Sequence, residues 1–334
     1  MRSLVTLVFL AFPCFLWAQD WEDQLVFNDG AEGAHLRIIS STDTVLFAPL
    51  IEGFVARNPS ISVEYFVSGT ADIDRRVRAS PDAFDIVVSS AMDLQLKLAN
   101  DGFALALKDI EAPHWTQWHH SLFAFTTEPA AIVINREAFE GQDIPHTRQS
   151  LIEALRERPE EFRGKVGTYD VRESGLGYLF ATQDARASET YWRLMEVMGG
   201  LDVRLYCCSG EMINDLADGK ILVAYNVLGS YAAVRAERKD ALEVIFPTDF
   251  QTTMMRTALV SEETQEPDAA EAFINYLITE KPVAQDSPSS LPPLVLQNGA
   301  TDRETIGLNP SLLTFLDDLK RKKFLSAWEN AVIQ

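Results

Sequence analysis

Cysteine is scarce in this 334-residue chain: there are three, Cys14, Cys207 and Cys208. The last two are neighbours, and adjacent Cα atoms lie about 3.8 Å apart, below the usual ~4.4 Å minimum for a disulfide. They supply no disulfide framework and read as small, partly buried thiols with no further soft ligand close in sequence. Positive charge is also short, with 29 Lys+Arg against 49 Asp+Glu and a net charge of −20. That argues against nucleic acid or an anionic membrane surface as partner. It leaves room for a small anionic ligand, because a local cluster of backbone N–H groups and one Arg can outweigh a distant negative field. After the N-terminus no segment has the ~18 unbroken apolar residues of a spanning helix. The chain also lacks G-x-S-x-G, H-E-x-x-H and P-loop motifs. Glu128, Glu161 and Asp170 show no paired spacing that suits a glycosidase or protease. His119 and His120, read as strand neighbours, point to opposite faces and do not share an ion. The reading is of a non-enzyme with no cofactor and no metal.

What is present begins with a leader. Met1-Arg2 is a short basic start, "SLVTLVFLAFPCFLW" an apolar core, and Ala18 a small residue for cleavage. Residues 1–18 are expected to be removed as a signal peptide and the rest exported, to the periplasm. The remainder is long enough for two domains.

Strands and helices alternate along it. "LRIIS" is a strand, and Leu46, Phe47, Leu50, Ile51 and Phe54 then recur at helical spacing. "SISVEYFVS" alternates as a strand and "FDIVVSS" is a compact apolar one. Three times a strand ends in Ser and a helix begins: "IISSTD", "FVSGTAD" and "VVSSAMD". Alternation of this kind predicts a largely parallel sheet, in which ligands bind beyond the carboxyl ends of the strands. One such junction is a helix cap; three in succession predict a shared polar pocket. The pattern restarts near Pro129 with "AAIVIN", "KVGTYD", "VRESGLGY" and "ILVAYNVLGSY". "LEVIFPTDF" leads back to the helices "DAAEAFINYLIT" and Pro310 to Val332, and the lead-in "QDWEDQLVFNDGAEGA" reads as loose.

These stretches, in this order and spacing, resemble the extracellular solute-binding proteins of bacterial ABC-type uptake systems, in the type II branch that holds ferric-ion and phosphoglycerate- or sugar-phosphate-related members. The resemblance implies two doubly wound α/β domains joined by two crossover strands, a periplasmic binding protein type II-like fold. Domain one falls at 34–127 and 248–334, domain two at 128–247. It further implies a small-molecule solute in the cleft between them, hinge closure over that solute, and docking as a monomer on a membrane permease. The same fold, loaded, also serves as partner of a membrane sensor kinase.

The candidate ligand contacts in domain one are Ser40, Ser41, Thr42, Ser68, Thr70, Ser89 and Ser90, whose hydroxyls and helix-start N–H groups suit a phosphate or carboxylate. In domain two they are Arg172, Ser174 and Gly175 in "VRESGLGY", with Arg172 able to grip an oxyanion through two parallel bonds or to pair with Asp170 or Glu173. Tyr225 and Asn226 in "AYNVLGSY" complete the set. The iron binders of the family carry adjacent tyrosines in this region. Asn226 stands where the second would be, so a ferric site is not expected, although Tyr169, Tyr178 and Tyr231 remain available.

Overall fold

The computed structural model describes residues 21–234, 241–279, 291–294 and 305–334. The expected leader lies outside them. The alternating pattern becomes strands β2 (His35–Ser40), β3 (Ser62–Val67) and β4 (Ile86–Ser89), parallel with β2 in the middle. Helices α1 (Thr44–Arg57), α2 (Thr70–Ala79) and α3 (Met92–Asn100) follow them in turn. Helix α1 buries Leu46, Phe47, Ile51 and Phe54, and Phe47 stacks on Tyr65 of β3 at 5.1 Å between centroids. The lead-in is not loose. It contains β1 (Asp23–Phe27), antiparallel to β3 at the sheet edge. Its Leu25 and Val26 are exposed and Phe27 alone of the strand is buried in the core, so backbone pairing carries most of it and no alternating buried face marks it in the sequence.

A short strand β5 (Gln117–Trp118) precedes a 14-residue strand β6 (Leu122–Asn135) that belongs to two sheets. Through Phe123 to Pro129 it pairs with β11 (Thr253–Val260), which continues to β4. From Ala130 it pairs with β9 (Val223–Leu228) and then β10 (Leu242–Ile245). Strand β9 lies beside β7 (Val166–Tyr169), which pairs with β8 (Arg204–Tyr206), all parallel. The chain thus crosses once within β6 and returns through 246–252. Strand β11 escapes a sequence reading because Arg256 interrupts its apolar run, although the whole strand is buried. His119 and His120 are not on a strand. They occupy a turn with φ of 49° and 55°, so the opposite-faces argument does not apply to them.

Helices α4 (Arg148–Glu157), α5 (Pro159–Phe162), α6 (Gly175–Ala187), α7 (Thr190–Gly200), α8 (Ser209–Ala217) and α9 (Gly229–Val234) surround the second sheet. Helix α10 (Pro267–Thr279) packs on β11 and β6. The last helix departs from the expected division. Pro310–Leu316 is 3-10 and α11 (Asp318–Val332) is a separate helix capped by Asp317. Placed with domain one in the sequence reading, α11 packs on α7 of the second lobe. There Phe324, Trp328, Ala331 and Val332 share one core with Leu194, Met195 and Met198. Helical periodicity gives the apolar face but not the surface that covers it. No helix among the described residues is long and apolar enough to cross a membrane.

Candidate functional site

The residues that begin four helices meet at one cavity between the two lobes. Asp43, Gly69, Ser174 and Cys208, the N-cap positions of α1, α2, α6 and α8, all line it. Ser174 accepts a hydrogen bond from the Gly177 N–H at 3.1 Å. Asp43, Gly69 and Cys208 make no side-chain cap bond, so their own side chains leave the amides that a helix start exposes uncovered. Each start also carries roughly half a positive charge from the helix dipole. Hydroxyls of Ser41, Ser68, Thr70, Ser90, Tyr169, Ser209 and Tyr231 complete the wall. The lobes are closed on one another: the Leu176 N–H donates to Thr70 Oγ1 at 3.1 Å, and Tyr231 donates to Asp43 Oδ1 at 3.2 Å. The free volume is ≈ 20 Å³, about that of one water.

The twelve candidates divide by side-chain direction. Ser41, Ser68, Thr70, Ser90 and Ser174 come together in the cavity wall. Ser41 and Ser90 touch, with the Ser90 N–H donating to Ser41 Oγ at 3.1 Å. Ser40 and Ser89 point into the fold, where each accepts from the amide two residues on, Thr42 and Ala91, closing a tight turn ahead of the helix. Thr42 is buried beneath the wall and accepts from Arg256 Nε at 3.2 Å. Gly175 packs against Thr70, Ala91 and Leu94 across the lobe boundary.

Arg172, Tyr225 and Asn226 do not line this cavity. Asp170 holds Arg172 by its Nε at 2.8 Å, its Nη2 at 2.6 Å and its backbone N–H at 3.0 Å. These bonds, first among the causes, hold the guanidinium's pKa above its usual value. Tyr225 faces a buried network instead. It accepts from Arg148 Nε at 2.7 Å and donates to Asp184 at 2.7 Å, and Asp184 also accepts from Asn226 and Thr252. Asn226 takes a left-handed turn, φ 62°, which aims its amide at Asp184. Alternation along β9 puts Tyr225 on the face opposite the cleft.

Sequence reasoning missed Glu22, Asp43, Cys208 and Ser209, and offered Tyr169 and Tyr231 only as iron ligands. The signal for two of them was present: "YCCSGEM" is a fourth strand–Ser–helix junction. Glu22 is exposed as a residue, but its carboxyl end turns into the cavity. Removal from water first, and then Asp43, Glu211 and Asp72, hold its pKa above the usual carboxylate range. Burial likewise pushes the phenols of Tyr169 and Tyr231 well up. Behind the wall, Arg256 pairs with Glu128 at 2.8 Å, both buried, and Glu128 accepts from the Ser230 N–H at 2.7 Å. The chain Thr42–Arg256–Glu128–Ser230 ties the two lobes under the cleft.

A second cavity of ≈ 320 Å³ adjoins the first at Ser174. Arg75, Arg78, Lys97, Arg172 and Arg321 line it, with Asp74 and Asp93. Burial raises the Asp93 carboxyl from 3.8 to about 7, and its Oδ1 has no hydrogen-bond partner among the described residues. Because the folded pKa exceeds the unfolded one, this group's contribution to stability is complete below about pH 4 and is lost as pH rises through about 7. Asp93→Asn is therefore expected to stabilise the protein at pH 8, by roughly 2–4 kcal/mol, and to change nothing near pH 4. Thermal melts of both proteins at the two pH values check this. Equal shifts at both would contradict it.

A family model described as bacterial extracellular solute-binding protein matches residues 85–308. No curated protein matches at a significant level. Among solved structures, a substrate-binding protein of an ABC transporter from Agrobacterium tumefaciens is similar at 28% identity and TM-score 0.85, covering 93% of this chain and 98% of that one. The periplasmic binding protein AfuA from Actinobacillus pleuropneumoniae, with fructose-6-phosphate bound, shares the fold at 14% identity and TM-score 0.69, covering 90% and 98%. Iron-bound HitA from Pseudomonas aeruginosa does so at 12% identity and TM-score 0.66, covering 89% and 99%. The same fold thus carries a sugar phosphate in one relative and iron in another, and the choice for this chain rests on its own residues.

Proposed function

Because this chain belongs to the bacterial extracellular solute-binding proteins, receptors and not enzymes that deliver small ligands to the membrane permeases of ABC transporters, we propose that its interdomain cleft captures a small phosphorylated or carboxylated solute that also carries hydroxyl or amino groups. The family places the protein outside the cytoplasm, and the leader-like residues 1–18 favour the periplasm. The observation that carries the ligand class is the convergence of Asp43, Gly69, Ser174 and Cys208, four helix starts from both lobes, on one cavity. Their amides and dipoles favour an acceptor-rich, anionic group. The basic cavity beyond Ser174 has the same sign. Glu22 and Asp43 line the cleft as well, and they oppose a compact dianion without donors of its own. A solute with an anionic end and donor groups satisfies both sets. The closed cavity has no room for it, so entry requires the lobes to separate, the hinge motion of this class.

A ferric reading has one point in its favour: Tyr169, Tyr231, Glu22 and Asp43 are oxygen donors on one cavity. Against it, burial raises the pKa of both phenols above its ordinary value, and Tyr225 and Asn226 are turned away. A thermal-shift screen of sugar phosphates, phosphorylated three-carbon acids, aminophosphonates and di- and tricarboxylates tests the proposal. A hit from these classes is expected, and ferric citrate is expected to give no phenolate-to-iron colour. Ser90→Ala should weaken the hit several-fold, the value of one neutral hydrogen bond at about 0.5–1.5 kcal/mol, with little change in the unliganded melting point. Arg172→Ala should bind as the parent does. Stabilisation by free amines or polyols alone would overturn the ligand class.

A further inference from the structure

We propose that Cys207, Cys208 and Glu211 form a binding site for a thiophilic divalent cation of the zinc and cadmium class, set in the wall of the cleft. The two thiols are free and 3.1 Å apart at Sγ, and Glu211 Oε2 lies 3.5 Å from Cys207 Sγ. One donor atom from each residue falls within 4.8 Å of the others. The fold makes this cluster. Cys207 follows β8, Cys208 is the N-cap of α8, and Glu211 lies in the first turn of that helix. The turn from β8 into α8 brings both sulfurs to the same side as a carboxylate in the first turn of the helix. Both cysteines line the cleft beside Glu22, so a cation has an entry path.

The geometry is close to what such an ion needs. With metal–sulfur bonds of about 2.3 Å in a tetrahedral site, two sulfurs sit about 3.8 Å apart. Opening the pair from 3.1 Å is a small side-chain rotation, whereas a bond between them would require closing to about 2.05 Å across adjacent residues. The surroundings also suit a cation. Glu211 lies beside Cys207 and Glu22 lines the same cavity, so negative charge faces the site. Two thiolates on one divalent ion carry no net charge, so the metal-bound pair avoids placing bare thiolates next to these carboxylates. Glu211 then adds a third, oxygen ligand. The site rests on these residues alone, whichever solute the cleft takes.

Cadmium titration of the reduced protein, after removal of the reductant, tests it. One equivalent should produce the ultraviolet thiolate-to-cadmium absorption band, and zinc should displace it. Because the ion binds thiolates, affinity should rise with pH. The band should vanish in Cys207→Ser and in Cys208→Ser, and need at least tenfold more cadmium in Glu211→Gln. Glu211 is exposed, so that variant is expected to keep the parent fold, and circular dichroism checks the others. A missing band, a band that survives either Cys207→Ser or Cys208→Ser, or an unchanged affinity in Glu211→Gln would overturn the proposal.

Discussion

Glu128→Ala is expected to lower stability by about 3–5 kcal/mol, the cost of leaving one member of a buried ion pair uncompensated. The pair is Arg256 and Glu128, 2.8 Å apart with side chains 1% and 2% exposed. Burial alone would lower the Arg256 pKa, and Glu128 first, with Tyr231 and Tyr65, more than offsets that. Without it, Arg256 keeps a single bond to Thr42 Oγ1, its Nη2 has no partner among the described residues, and the Ser230 N–H loses its acceptor. Glu128→Gln keeps the hydrogen-bonding shape and loses only the charge, so it should fall between the two. Urea denaturation of the three proteins reads the order. A loss under 1 kcal/mol for Glu128→Ala would show that water or a neighbour takes over the charge.

Gly175→Val is expected to weaken solute binding by about 5- to 150-fold, because overpacking a tight contact costs about 1–3 kcal/mol. A Cβ at this position would lie 2.8 Å from Leu94 Cδ1, 3.0 Å from Thr70 Oγ1 and 3.2 Å from Ala91 Cβ. All three belong to the opposite lobe. The added atoms therefore act as a wedge between lobes and not as a defect within one. Unliganded stability should change little, since the wedge is relieved by opening. Binding is measured with the compound that the thermal-shift screen selects. A large drop in unliganded stability with binding unchanged would mean that Gly175 serves local packing only.

Much of the fold was legible because its signals are local. The strand–Ser–helix junctions at Ser40, Ser68 and Ser89 are strand ends followed by caps, and composition writes them plainly. Edge strand β1 was not legible, since Leu25 and Val26 are exposed and Phe27 alone of the strand is buried, with backbone pairing doing the rest. Strand β11 was hidden by Arg256, whose partner Glu128 is 128 residues away. The covering of Trp328 by α7 is a tertiary choice that periodicity cannot specify.

The site was legible as far as backbone direction goes. Consecutive residues at a strand end alternate faces, so Ser41 and Ser90 reach the cleft while Ser40 and Ser89 turn inward and brace the turn that follows. The same alternation, with the left-handed turn at Asn226, sends Tyr225 and Asn226 to Asp184. Arg172 was drawn off by Asp170, two residues earlier, a competition the sequence posed but could not decide. Asp43 and Cys208 were passed over because a helix cap looks the same whether its helix points at solvent or at a cleft.

The most direct measurement is solute capture. The protein and its Gly175→Val variant are incubated with a small-molecule extract of bacterial cells, separated from free solutes, denatured, and the released compounds identified by mass spectrometry. One compound bearing a phosphate, phosphonate or carboxylate together with hydroxyl or amino groups, near one equivalent on the parent and depleted on the variant, is the result predicted. A captured compound with no anionic group, or equal capture by both proteins, would contradict capture of an anionic solute by closure of the cleft.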